Sequence, residues 1–405
     1  MYTWVESRKL LKRNQILSLI RHSPKPLSRS EVKRLTGYSM TTVSNCVTAL
    51  LEEGLWREDA CQDTGRLGRK PIFLHLNGEG GYFVGLEFNV ERIHCAVLDF
   101  AGRTLYTNGA DLPEGVSREG LLERIFGKTE ECLDLLGPRR DRVLGIGLGL
   151  PGYIDAKSGM ALSCPYLPEW TDVPIVRIME ERFRYSCCIG NNVSAMGLVF
   201  KWLPDYHEDN DFLLISIRSG VRCIPVLNQQ PYSGRFSSSG EIGHLKVSAG
   251  TRVCDCGHTG CLNTEVTDIS IRAILEEGMA RGQYEAVKRL AGGGPPSSAL
   301  LVQAAVAGDE EAADLVRRTG SHVGRAVAVA ANLFAPQKII LSGQLVKAGP
   351  LFFTPLRRQV EEECLPAVLR HVEITSSPFS DDIGALGAAA LTLERDFNPI
   401  SHLTN

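Results

Sequence analysis

The stretch GHLKVSAGTRVCDCGHTGC, residues 243–261, holds the densest chemistry in the chain. Cys254, Cys256 and Cys261 fall within eight residues, and His244 and His258 flank Cys254 on either side. Thiolates and imidazoles so closely spaced suit a tetrahedral Zn²⁺ ion. The pattern is Cys-x-Cys-Gly-x-x-Gly-Cys, in which a glycine-bounded turn brings the third thiol back toward the first two. A fourth ligand is required, and His244 and His258 are the two candidates. Four protein ligands close the coordination shell, so such an ion braces structure and does not hydrolyse substrate. A reduced loop or a redox pair accounts for a lone Cys-x-Cys better than for this whole pattern.

What must position such a loop is a large protein. At 405 residues the chain calls for two or three domains. With 22% charged and 43% hydrophobic residues it has the balance of a soluble globular protein. No apolar run reaches the ~18 residues of a membrane span. The opening MYTWVESRKLLKRNQ lacks the apolar core of a signal peptide, so a cytoplasmic protein without a membrane partner is expected. The 12 cysteines do not make a secreted disulfide scaffold in a chain this long, and Cys46, Cys95, Cys187, Cys188 and Cys223 read as small reduced core residues.

Charge divides the chain. Residues 1–76 carry 13 Lys+Arg against 7 Asp+Glu, whereas the rest carries 31 against 40. A basic head on an acidic body points to a polyanion as the head's partner. In the head, RNQILSLIRHS predicts a short amphipathic helix ended by Pro24 and Pro26. Ser28 and Glu31 have capping-box spacing for a second helix, which Gly37 closes. Ser39 caps a third, MTTVSNCVTALLEEG, with Val43, Val47, Leu50 and Leu51 on one face. Ser39, Thr41, Thr42, Ser44, Asn45 and Thr48 are short hydrogen-bonding residues suited to base edges and phosphates. LWREDACQDTGRLGRKPIFLHLN then reads as strand, basic tip, strand: a wing with Arg66, Arg69 and Lys70 at its tip. Residues 1–78 are thus expected to be a winged helix-turn-helix domain that binds a double-stranded DNA operator.

From residue 79 the pattern changes. YFVGLEF, RIHCAVLDFAG and RTLYTNGA predict a β-meander, REGLLERIFGKTEECLDLLG a helix, VLGIGLGLPGYID a strand and loop, SCCIGNN a strand end and NVSAMGLVFKWL a helix. FLLISI, IPVLN, LKV and KIILSG read as further strands among C-terminal helices. Strands grouped and then crossed by helices, twice over, predict two α/β lobes with a cleft.

Four motifs now carry a resemblance. GLGLPGYID, GEIGH followed by CDCGHTGC, PQKIILSGQL and IGALGAAALTL together resemble the ROK family of repressors, open reading frames and sugar kinases, over nearly the whole chain. The resemblance implies a two-lobed actin-like, sugar-kinase-like (ribonuclease H-like) body over 79–405. Lobe one would take about 79–200 plus 383–396, and lobe two about 201–382. It implies Zn²⁺ held by His244, Cys254, Cys256 and Cys261, and a sugar read by Tyr166, Asn191, Asn192, Glu241, His244 and Asn263. It also implies lost catalysis. The kinase phosphate loop Asp-x-Gly-Gly-Thr stands here as Glu87-Phe88-Asn89-Val90-Glu91, and the second loop as Arg218-Ser219-Gly220-Val221-Arg222. The catalytic Asp of the Asn-Asp pair is Asn192, and an amide takes no proton from a hydroxyl. The usual Glu after Gly-Cys-Leu is Asn263, with Glu265 two residues on. Arg218 and Arg222 suit the phosphate of a sugar phosphate, or else pair with Glu87 or Glu91. The expected protein is a non-enzymatic regulator, a homodimer or homotetramer answering to a sugar or sugar phosphate. The alternative is an ATP-dependent sugar kinase with a DNA-binding head.

Overall fold

Ser28 and Glu31 do locally what their spacing requires. Ser28 accepts from the Glu31 backbone N–H, the Glu31 carboxylate accepts from the Ser28 N–H at 2.8 Å, and Gly37 ends the helix at φ 71°. The computed structural model in which these contacts are seen describes residues 4–60, 72–89, 91–113, 115–164, 167, 169–204, 211–232, 234, 239–379 and 381–399. Arg66, Arg69, Lys70 and Tyr166 lie outside them.

The head comprises α1 (Trp4–Arg21), β1 (Leu27–Ser28), α2 (Arg29–Thr36), α3 (Met40–Glu52), β2 (Trp56–Ala60) and β3 (Ile72–Leu76). The first helix starts nine residues before the predicted stretch. Its added turns carry Leu10, which with Arg13, Leu55, Leu144 and Phe397 lines a cavity of about 460 Å³. Ile16, Leu17, Val32, Val43, Val47 and Leu50 are wholly buried, while Leu51 is half-buried. The predicted wing strands pair antiparallel, Trp56 with Leu76 through Ala60 with Ile72. The short β1 completes a sheet in the order β1-β3-β2, a pairing without a sequence pattern of its own.

The body continues with β4 (Tyr82–Phe88), β5 (Arg92–Asp99), β6 (Thr104–Asp111), α4 (Arg118–Leu136), β7 (Val143–Leu150), β8 (Tyr153–Asp155), β9 (Met160–Ser163), α5 (Ile175–Phe183), β10 (Cys187–Asn191) and α6 (Asn192–Trp202). After it come β11 (Phe212–Ile217), β12 (Val221–Leu227), β13 (Gln230–Pro231), α7 (Asn263–Val266), α8 (Asp268–Ala280), α9 (Glu285–Ala291), α10 (Ser298–Val306) and α11 (Glu310–Phe334). Then follow β14 (Lys338–Gly343), α12 (Pro350–Glu363), α13 (Pro366–Leu369), β15 (Glu373–Ser376) and α14 (Ile383–Phe397).

Two compact units result, Met1–Glu208 with Asp382–Asn405, and Asp209–Asp381. The head falls in the first. The two large sheets have one topology: β10-β7-β4-β5-β6 in the first unit and β13-β12-β11-β14-β15 in the second. In each, an antiparallel meander is extended by two parallel strands. This is the doubled α/β body expected from the motifs. The glycines of VLGIGLGL let α14 lie directly on the first sheet, since a Cβ on Gly147 would stand 1.8 Å from the Ala388 carbonyl.

One predicted strand is absent. LKV forms a single bridge, Lys246 with Cys261, after a 3₁₀ turn over Ile242–His244. Its backbone is spent on the cysteine loop: Leu262 N–H donates to Leu245 O, and Val247 N–H to Gly260 O, both at 2.9 Å. A sheet neighbour is therefore not needed.

Candidate functional site

The cysteine loop closes on itself. Cys254 N–H donates to His258 O at 2.8 Å, and Gly257 and Gly260 take the positive φ of 83° and 75° that its turns demand. The ligand atoms of His244, Cys254, Cys256 and Cys261 all lie within 4.8 Å of one another. His244 Nδ1 is 3.6 Å from Cys254 Sγ, and Cys256 Sγ is 3.6 Å from Cys261 Sγ. Zinc bonds of about 2.0 Å to nitrogen and 2.3 Å to sulfur give tetrahedral edges of about 3.5–3.8 Å, so the donor set fits that ion. His258 reaches Cys256 Sγ at 3.5 Å but stands outside the converging four. Its backbone N–H holds the Cys256 thiol down to about 6, which favours thiolate there near neutral pH, while burial raises Cys254.

Support for this loop comes from residues with no local sequence signal. Ser248 Oγ donates to the Glu265 carboxylate and accepts from Gly250 N–H at 3.1 Å. His322, on α11, stands 3.9 Å from the same carboxylate, and Arg325 donates to Val247 O at 2.8 Å. Glu265 is thereby engaged with the loop. Asn263 accepts the Val221 N–H at 2.9 Å, and a Cβ on Gly243 would stand 2.1 Å from its oxygen. It ties the β11–β12 turn to the His244 turn.

The two arginines take local partners. Arg222 is 8% exposed, donates to Ser239 O at 2.9 Å and sits 3.5 Å from the Glu241 carboxylate. Arg218 donates to Asp381 O at 3.4 Å, beside the Gln344 amide that holds the Asp381 carboxylate at 3.0 Å. Glu241 is thus the acid paired with Arg222, and its side chain remains 49% exposed.

In the first unit the asparagine pair ends β10 and starts α6. Asn191 Oδ1 caps that helix, accepting from Val193 and Ser194 N–H at 3.2 Å each, and its amide donates to Gly152 O at 3.3 Å. Asn192, 7% exposed, donates to the Glu87 carboxylate at 3.0 Å. Glu87 is wholly buried beneath Gly384, where a Cβ would meet its carboxyl carbon at 2.6 Å. Asn89 Oδ1 accepts from Glu91 and Arg92 N–H at 2.8 Å, which closes the turn between β4 and β5 with a side chain.

These two constellations stand on a body whose sequence matches the ROK family profile over residues 83–395. The chain belongs to the ROK family. A xylose repressor of Caldicellulosiruptor bescii is 26% identical over 369 residues, 91% of this chain and 92% of its own length. The DNA-binding transcriptional repressor Mlc of Escherichia coli (strain K12) is 26% identical over 373 residues, 92% of this chain and 90% of its own. The crystal structure of a ROK family transcriptional regulator, a homolog of E. coli Mlc, has the same fold, with a TM-score of 0.81 at 24% identity over 98% of both chains.

The head of this ROK chain presents the sequence-predicted face only in part. Thr41, Asn45 and Thr48 are exposed along α3, and Thr42 and Ser44 are half-buried. Ser39 caps the helix, its Oγ accepting from Thr42 N–H at 3.1 Å. Met40, 41% exposed, joins the outward set, and its thioether suits a thymine methyl. Among the described residues no helix is long and apolar enough to cross a membrane.

Proposed function

We propose that this protein is a sugar-responsive transcriptional repressor of carbohydrate-use genes without kinase activity. The observation that carries the reading is the Glu87–Asn192 hydrogen bond. The position of the kinase base holds an amide, and that amide is turned onto a buried carboxylate. An amide at residue 192 cannot take the proton of a sugar hydroxyl, and the carboxylate it holds is buried. The head's α3 and the wing would take the operator, and two heads on a homodimer or homotetramer would match its two-fold symmetry.

Zn²⁺ would be held by His244, Cys254, Cys256 and Cys261, where it supplies four fixed bonds to a loop poor in regular structure. With Nδ1 of His244 among the metal donors, its Nε2 is left for a hydroxyl, beside the half-exposed Glu241 of the same unit. Sugar binding would shift the population between two arrangements of the heads.

The test has two arms. A coupled assay with ATP and a panel of hexoses, pentoses and amino-hexoses should show no turnover. Fluorescence anisotropy on an operator duplex should show release by one sugar of the panel. Turnover lost on Asn192→Ala would instead establish the kinase with a DNA-binding head.

A further inference from the structure

Helix α6 has a different neighbour at each end. Its first turn is the Asn191–Asn192 pair; its last is Lys201–Trp202, 11 residues and about 16 Å along. That last turn receives the head. Arg21, the final residue of α1, lies over the Trp202 ring at 5.2 Å and the Phe100 ring at 5.5 Å, and donates to Phe100 O at 2.7 Å. The His22 ring meets Lys201 O at 3.1 Å. The seat itself is rigid. Lys201 Nζ and Trp202 Nε1 both donate to the Glu394 carboxylate of α14 at 2.8 Å, and a Cβ on Gly102 would stand 2.5 Å from Trp202 O. Farther up α1, Asn14 donates to Asp396 O at 3.0 Å and Arg13 lies over the Phe397 ring at 5.7 Å.

The head is therefore joined to its unit twice: through the chain at residues 77–81, and through this joint. A planar guanidinium stacked on two rings and bonded at its rim fixes orientation as well as distance. A short helix packed along its length moves as one piece, so a shift at its first turn appears at its last.

We propose that α6 transmits the state of the Asn191–Asn192 pair to the head, with Trp202 and Arg21 as the residues that position the winged helix for DNA. The proposal rests on the sensor reading above. Neither Trp202 nor Arg21 need touch DNA or sugar.

The test is a double-mutant cycle that requires no sugar. The probe is a duplex selected from a random pool by the full-length protein, titrated by anisotropy at fixed salt. Asn192→Ala should change the Kd at least tenfold in the parent and less than twofold on an Arg21→Gln background. Trp202→Phe serves as a second background, and thermal unfolding of each variant shows that it is folded. An unchanged Kd for Asn192→Ala in the parent overturns the proposal, and so does an equal change on all three backgrounds. The sensor reading fails separately, if no sugar or sugar phosphate of the panel shifts the melting temperature, and the cycle still reports whether residues 192 and 21 are coupled.

Discussion

Two clusters of polar side chains, one in each unit, have opposite economies. In the second unit His244, Cys254, Cys256 and Cys261 point at a common centre that no protein group fills, at the edge lengths of a tetrahedral ion. In the first unit Glu87, Asn89, Asn191 and Asn192 answer one another, a helix start and nearby backbone. A convergent set requires an outside partner, whereas Glu87 and Asn192 already hold each other. The first arrangement can hold an ion, and the second lies buried within its own unit.

The largest effect should come from emptying the convergent set. The full-length protein is expected to carry about one Zn²⁺ per chain, and Cys256→Ser to lose it, because metal affinity at such a site is folding free energy. Loss of a structural metal belongs to the most destabilising class of change, about 4 kcal/mol, or ~10 °C in a unit of this size. Metal analysis and calorimetry of Cys256→Ser, His244→Ala and His258→Ala decide the ligand set. Metal lost on His258→Ala and retained on His244→Ala would reverse the assignment.

Next comes the Glu87–Asn192 pair. Asn192→Asp, the change that restores the kinase residue, should place a second carboxylate about 3.0 Å from buried Glu87. Two such groups cannot both ionise, so one is raised in the folded state. A raised folded value means that the folded state binds the extra proton. Stability is then present below the unfolded value, near 4, and lost as pH rises through the folded one. The variant should lose about 3 kcal/mol at pH 8 and much less at pH 5, read as thermal midpoint against pH. Glu87→Gln added to it exchanges acid and amide and should recover most of the loss. Equal loss at both pH values would mean that the two side chains do not interact as described.

How much of this was legible follows the same division. The three cysteines are a spacing pattern, as is the Ser28–Glu31 capping box, because each depends on residues close in the chain; spacing left His244 and His258 open, and the structure groups His244 with the thiols. The central strands β4, β7, β11 and β14 announced themselves as apolar runs, whereas the edge strands β13 and β15 carried none. LKV carried the same run without becoming a strand, since its backbone bonds go to a loop 15 residues on. Glu265, His322 and Arg325 gave no sign of supporting that loop, and nothing local announces the Arg222–Glu241 pair. Such partners are brought together only when β11, β12 and α11 pack.

The head shows the contrast on one helix. Thr41, Asn45 and Thr48 face outward, while Ser39 is turned back as a cap. Asn45→Ala should change which operator bases are preferred, by about 1–2 kcal/mol at one position. Ser39→Ala should lower stability by about 1 kcal/mol without changing preference. Arg69→Ala, in the basic stretch between β2 and β3, should weaken all duplexes alike and lower the salt slope by about one unit. In vitro selection with each variant, and titrations at several salt concentrations, separate the three.

The smallest effect tests whether the comparison extends to Arg222. At the position of a kinase glycine, a guanidinium facing a phosphate would be expected to favour a sugar phosphate, by roughly 1.5–3 kcal/mol for a charge-assisted bond. Here the group is 8% exposed, bonded to Ser239 O and paired with Glu241. A phosphate would have to displace a carboxylate already in place, and the gain of one contact would be offset by the loss of the other. A sugar and its 6-phosphate should therefore bind within about threefold of each other, a difference of ~0.6 kcal/mol. Arg222→Lys should weaken both alike, because the fork that orients Glu241 is lost while the charge remains. Isothermal titration of both ligands on both proteins gives the four affinities. A tenfold preference for the phosphate that disappears in Arg222→Lys would place Arg222 with the metal donors, as a group kept for an outside partner.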